Sequence, residues 1–346
     1  MGNSSLARLA YPTWGKLAVC TCLVFENKYE TYGTRWCVPY IRSIEMDSTS
    51  MNEGLAANFL LVDVTMRAWS GKRTDKAASS ELEHNKAALA GSARVIKDLM
   101  VGSRAELKAV VAAQSQIRSH VTLASLPWSS SKSGKNSGAR LLASKTSMDF
   151  LKDYKTLYTQ YESALNIFLS VYEDRRVEAT LNLGQLANAG DYPSVEEMSG
   201  EFSVEINLNP VPATNDFSRL AIPADMVEAL SQRLSKQYNV AVDNAMNDLH
   251  HRLVEQIGRI VTTTGKLARG ENTNVRESLI GNLHDIVALL RTSNITNNSK
   301  LEDVAVRIDK ELLVHNTKDL RASRDVTRAV SASASSIAME LDDVFF

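Results

Sequence analysis

From position 58 onward, apolar residues recur along the chain at two periods. Phe59-Leu-Leu-Val-Asp-Val-Thr65 places Leu60, Val62 and Val64 on one side. Phe202, Val204, Ile206 and Leu208 alternate with Ser203, Glu205 and Asn207. Successive side chains leave a strand on opposite faces, so a period of two marks a half-buried strand. Gly200 opens the second run, and Pro210 and Pro212 close it; four of the chain's seven prolines fall between 193 and 223. Each run has one apolar face, and a lone strand leaves its N–H groups without partners. The two runs, 59–65 and 202–208, are therefore expected to pair with each other.

Most of the remaining chain follows the helical period. Ser80 with Glu83, and Ser103 with Glu106, have capping-box spacing. They predict one helix through Leu82, Leu89, Ile96 and Leu99 to a pause at Gly102. A second helix should run through Leu107, Val110, Gln114, Ile117 and Val121 to Leu126, stopped by Pro127. Ser129 to Gly138 has the composition of a flexible loop. Leu151, Tyr154, Tyr158, Tyr161, Leu165, Phe168 and Tyr172 alternate spacings of three and four, a heptad seam on a helix over 147–178 that requires a partner helix.

Pro223 opens a further helix whose apolar face holds to about Val261; some 40 residues at ~1.5 Å each give roughly 60 Å. These two long helices are expected to form an antiparallel, coiled-coil-like hairpin with the β segment bridging one end. Thr262 to Gly265 and Gly270 to Asn274 break the pattern. A helix through Leu279 to Leu290 follows. Another starts at a third capping box, Ser299 with Glu302, and the last runs from about Lys318 to Leu341, with a frayed tail after it.

The fold class expected is mainly α with a small antiparallel β-sheet, an elongated helical bundle. Residues 51–346 form one domain with its β insert at about 200–212. Residues 1–50 stand apart: they hold every cysteine (Cys20, Cys22, Cys37) and show no regular period. They are read as a poorly ordered extension, the alternative being an arm packed on the domain. Leu17 to Phe25 is apolar, but Pro12, Trp14 and Gly15 interrupt its approach and no small-residue cleavage site follows, so no secretory signal is expected. The lack of cysteine after position 37 suits a reducing compartment.

A formal net charge of −1 gives no overall pull toward nucleic acid or membrane. Ser-Gly-Lys at 133–135 lacks the upstream glycine of a phosphate loop, and the six histidines show no metal spacing. No nucleophile elbow occurs either. Neither cofactor, metal nor catalytic residues are expected. Two candidate surfaces remain. One is the alternating strand, with Phe202, Val204, Ile206 and Leu208 as partner-binding residues. The other is a basic stripe on the last helix, Lys318, Arg321, Arg324 and Arg328, suited to phosphate contacts although Asp319 and Asp325 interleave.

A series of short motifs carries a resemblance. Val62-x-Val64, Trp69-Ser-Gly71, Leu126-Pro-Trp128, Gly138-Ala-Arg-Leu-Leu142, Asp191-Tyr-Pro-Ser194, Phe202 with Pro210-Val-Pro212, Asp216-Phe217 and Asn294-Ile-Thr296 occur in that order over about 58–340. In this order the chain resembles an uncharacterised, domain-of-unknown-function family of tailed-bacteriophage proteins. That resemblance implies a non-catalytic phage protein in the host cytoplasm, acting by protein–protein interaction or assembly. It implies as partner a phage-encoded AAA ATPase of the MoxR-like kind, with its von Willebrand A-type companion; the long seams suit assembly, so a second copy of the chain is the other partner expected. The alternative is a nucleic-acid-binding accessory protein using the basic stripe.

Overall fold

The computed structural model describes residues 54–128, 138–295 and 298–345. The expectations for residues 1–50 and for the loop after Trp128 lie outside these residues. In chain order come β1 (Phe59–Arg67), β2 (Lys72–Asp75), α1 (Lys76–Asn85), β3 (Val95–Asp98), α2 (Ala105–Ala124), β4 (Leu126–Pro127) and β5 (Arg140–Ala143). Then follow α3 (Ser147–Leu183), α4 (Val195–Gly200), β6 (Ser203–Pro210), α5 (Ala224–Ala268), α6 (Ser278–Thr292), α7 (Ser299–Ile308), α8 (Thr317–Ala322) and α9 (Arg324–Phe345). The chain is mainly helical with a small antiparallel sheet, as its patterning implies.

The expected strand pairing is present. β1 and β6 are antiparallel, from Leu60 opposite Pro210 to Arg67 opposite Ser203. The sheet is larger than the two runs suggested, in the order β4-β5-β1-β6. The two added strands are short, and β5 is buried on both faces, so its Arg140-Leu-Leu-Ala143 has no alternation to read. Phe59, Leu61, Leu141 and Ala143 join the core of the C-terminal helices. Val62 and Leu142 face the other way, against Val121 and Phe150.

Each long helix has a partner other than the one expected. The tyrosine seam of α3 packs on α2: Tyr161, Phe168 and Tyr172 share a buried cluster with Leu107, Val110 and Ile117. α5 instead packs on α9, where Leu249, Leu253, Ile257 and Ile260 meet Val330, Ala334, Ile337 and Leu341. An apolar seam demands a partner helix but does not name it.

α5 also runs through the Thr262-Thr-Thr-Gly265 segment expected to end it. The buried Thr264 hydroxyl donates to Ile260 C=O at 2.7 Å, so it enters the core satisfied. The helix stops at Gly270, whose φ of +79° a side chain would strain. There Glu271 N–H donates to Lys266 C=O and Gly270 N–H to Leu267 C=O, the paired bonds of a Schellman stop. The tail expected to fray is helical as far as Phe345.

The expected 80–101 helix is replaced by α1, a loop and β3, which pairs with β2. Asp75, not Ser80, caps α1, accepting from Ala78 N–H at 3.0 Å. Glu83 turns away from the helix start and accepts from the N–H groups of Gly91 and Ala93, both at 2.9 Å. The other two capping boxes dissolve similarly: Glu106 pairs with Arg175 of α3, Glu302 bonds Arg291 of α6, and Asn298 caps α7.

Candidate functional site

Among the described residues β6 is an edge strand, and its ladder settles which backbone groups lie on the side away from β1. Trp128 N–H donates to Ala139 C=O at 3.2 Å, so odd-numbered residues of the β5 run serve β4. Arg140 and Leu142 then serve β1, opposite Val62 and Leu60. Backbone groups of alternate residues point opposite ways, so Leu61, Asp63, Thr65 and Arg67 serve β6. They stand opposite Asn209, Asn207, Glu205 and Ser203. The N–H and C=O groups of Val204, Ile206 and Leu208 are therefore directed away from β1. Pro210, which has no N–H, occupies the next outward position, where edge-strand prolines belong.

The side chains of the four candidate partner-binding residues lie on the inward face of the strand. Phe202 and Val204 are 6 % and 7 % exposed, in one cluster with Phe168, Tyr172 and Met198. Phe202 meets Phe168 edge-on with ring centroids 5.7 Å apart. Ile206 and Leu208 are half-buried against Val62, Val121, Leu142 and Phe150. An alternating strand turns its apolar face to its own core first, so β6 offers outward its backbone edge and the exposed Glu205, Asn207 and Asn209.

The segment leading into and out of β6 is pinned at both ends. Tyr172 of α3 donates its hydroxyl to Pro193 C=O at 2.9 Å, and Tyr238 of α5 donates to Pro212 C=O. Burial pushes both phenols up to about 12, so they remain protonated donors. Ser194 caps α4 as its sequence implies, in a reciprocal box with Glu197.

Ahead of it, Asp191 meets Lys97, which also lies 3.0 Å from Asp75 and donates to Leu186 C=O at 3.1 Å. Arg73 Nε is 3.2 Å from the second Asp191 oxygen. The bond to Asp191 raises Lys97 above the usual lysine range, and the Ala78 N–H followed by Lys97 lowers Asp75. A protonated amine held by two carboxylates is a clamp and not a nucleophile.

A second charged cluster closes the C-terminal end of α2. Arg140, 4 % exposed, donates to Ser125 Oγ and C=O, both at 2.8 Å, and to Thr122 C=O at 3.3 Å. Arg252 of α5 reaches the same Ser125 C=O at 3.2 Å and pairs with Asp248 at 2.6 Å. Burial lowers Arg140 to about 10, still charged at neutral pH, where it meets the negative end of the helix. Sequence reasoning missed both clusters, although the motif series contains Arg140 and Asp191.

The basic stripe does not lie on one helix. Asn316 starts α8 in a reciprocal cap with Asp319, and extended Ser323 separates α8 from α9, so Lys318 and Arg321 precede the break while Arg324 and Arg328 follow it. Arg321 donates to Val275 C=O, and Arg328 lies 3.6 Å from Asp325. Lys318 borders an open pocket of about 430 Å3 lined by Glu277, Ile280, Val314 and His315. A groove of about 570 Å3 runs between α2 and α3, floored by Ala105, Ala109, Ala164 and Ile167.

Among the described residues no group of three or more His, Cys, Asp or Glu is placed to hold a metal ion. None of the described helices is long and apolar enough to cross a membrane. No family model, curated protein or solved structure matches the chain.

Proposed function

We propose that this chain is a non-catalytic interaction protein of a tailed bacteriophage, working in the host cytoplasm, and that β6 is where a partner strand joins its sheet. The open edge of β6 carries the reading. Main-chain groups of Val204, Ile206 and Leu208 supply affinity in β-strand addition, and alternate side chains supply register. The phage setting rests on the motif series alone. From it comes the first partner to test, a phage-encoded AAA ATPase or its von Willebrand A-type companion. The nucleic-acid alternative has less behind it, since Arg321 of its four cations already donates to Val275 C=O and the stripe is divided between two helices.

The test is a photo-crosslinking side chain placed at exposed Asn207, and at exposed Glu271 as control, in cells making the phage proteins. Capture of a protein at 207 and not at 271 supports the reading. Equal capture at both positions, or none at 207, removes it. Separately, salt-sensitive DNA retention lost on Arg324→Glu would favour the nucleic-acid alternative.

A further inference from the structure

We infer that the strand joining β6 is β6 of a second copy of this chain, related by a two-fold axis through Ile206. The inference rests on the open-edge reading above and names its occupant. The two ends of the sheet are treated differently. The β4 edge is two residues long and includes Pro127, which denies an incoming strand a donor. The β6 edge runs for eight residues with proline only at its last position, and its outward N–H groups at Val204, Ile206 and Leu208 are uninterrupted. Long open edges invite unwanted pairing, and proteins usually blunt them with charged side chains, lysine above all, with proline or with a bulge. Before Pro210 β6 carries only one such device, the single charge of Glu205.

The pattern of β6 is self-complementary. In an antiparallel pair, outward-directed residues must meet outward-directed residues. A two-fold axis at Ile206 satisfies this: Ile206 meets its own copy, and Val204 meets Leu208 of the second copy. Pro210 then falls beyond the paired centre, so its missing N–H breaks no bond there. On the polar face Glu205, the only charged residue of the strand, stands opposite Asn207 of the second copy. No like charges meet, and a carboxylate faces an amide that can donate to it. On the apolar face the half-buried Ile206 and Leu208 gain cover from their counterparts, extending one hydrophobic surface across both sheets.

The purified full chain, its Ile206→Pro variant and a chain carrying the photo-crosslinker at Asn207 test this. Light scattering on an eluting column should give wild type twice the mass of one chain. Ile206→Pro should give a single-chain mass with unchanged helical circular dichroism. Irradiated mixtures of isotopically light and heavy chains should yield light–heavy peptide pairs joining 203–210 to 203–210. A monomeric wild type overturns the inference, as does a dimer that a helical Ile206→Pro leaves intact or one cross-linked through another region. If Ile206→Pro fails to fold, the cross-linked peptides decide alone. A monomer whose Asn207 probe captures a different protein in cells overturns self-pairing while leaving the open-edge reading standing. A monomer that captures nothing overturns both.

Discussion

Tyr172 and Tyr238, on different long helices, hold opposite ends of one segment: each donates its phenolic hydrogen to a proline carbonyl, at Pro193 and Pro212. Both carbonyls lie outside the β6 ladder, and each takes its donor from a helix side chain. Replacing either tyrosine by phenylalanine keeps the ring packing and strands that carbonyl. Each change should lower stability by about 1–3 kcal/mol in urea unfolding. A wild-type midpoint in either variant would show that the hydroxyl does not bear on stability.

The same tyrosines set an alkaline limit. Their folded values, about 12, lie above the ordinary value of 10.0. A raised value means the contribution is complete below the unfolded value and is lost as pH rises through the folded one. Lys97, raised above 10.5 by Asp191, acts in the same direction. Unfolding free energy should be level up to about pH 10 and fall steadily from there toward 12. Tyr172→Phe should make that fall shallower, measured by denaturant titration at successive pH values. An unchanged slope would exclude Tyr172 as a source.

Lys97 is the charged centre that ties β3 to Asp75 and Asp191. Lys97→Met keeps the stem and leaves two carboxylates facing a buried space, where only Asp191 retains a cation, Arg73. The loss should be on the order of 3 kcal/mol, as for other broken buried pairs. Asp191→Asn should cost less, because Lys97 keeps Asp75. Thermal unfolding of the two variants checks the order, and equal losses would mean that the cluster does not act as described.

How much of this was legible in the sequence follows from where patterns are regular. The β1–β6 pair could be read because both runs alternate and each needs a partner. β3 could not, because it inverts the rule: Ile96 is 57 % exposed while Lys97 is 6 % exposed. Asp75 on the neighbouring strand and the distant Asp191 together make an inward lysine favourable, and no local window contains Lys97 and Asp191. Capping boxes misled for a related reason, since Glu83, Glu106 and Glu302 each found a better donor outside their own helix start. The candidate strand was found, but an alternating pattern cannot say whether its apolar face meets the core or a partner. Here it meets the core, and the open feature is the backbone edge of β6.

Arg140 makes a sharper case for chemistry over charge. Its guanidinium binds Ser125 twice and Thr122 once at the end of α2, a set of directions a lysine ammonium cannot match. Arg140→Lys should therefore destabilise nearly as much as Arg140→Met, by about 2 kcal/mol or more, through unsatisfied carbonyls and a buried charge. Arg252→Met, at a more exposed site with its own carboxylate, should cost less. Hydrogen exchange at the C-terminal turn of α2 gives the local readout. Full rescue by lysine would mean that charge alone serves there.

The ladder parity of β6 makes a prediction that no feature of its side chains would suggest. Asn207 directs its N–H to Asp63 across the β1 pair, whereas Ile206 directs its N–H outward. Proline fixes φ and removes the donor at either position, but only at 207 does the donor belong to the sheet's own ladder. The comparison is made against alanine at each site, so that loss of the side chain cancels. Asn207→Pro should fall below Asn207→Ala by about 2 kcal/mol, since Asp63 C=O loses its partner. Ile206→Pro should fall below Ile206→Ala by clearly less in the separated chain, because nothing in its own sheet used that N–H. If 206 proves the more sensitive position, the outward and inward sets are exchanged, and the edge available to a partner is that of Glu205 and Asn207.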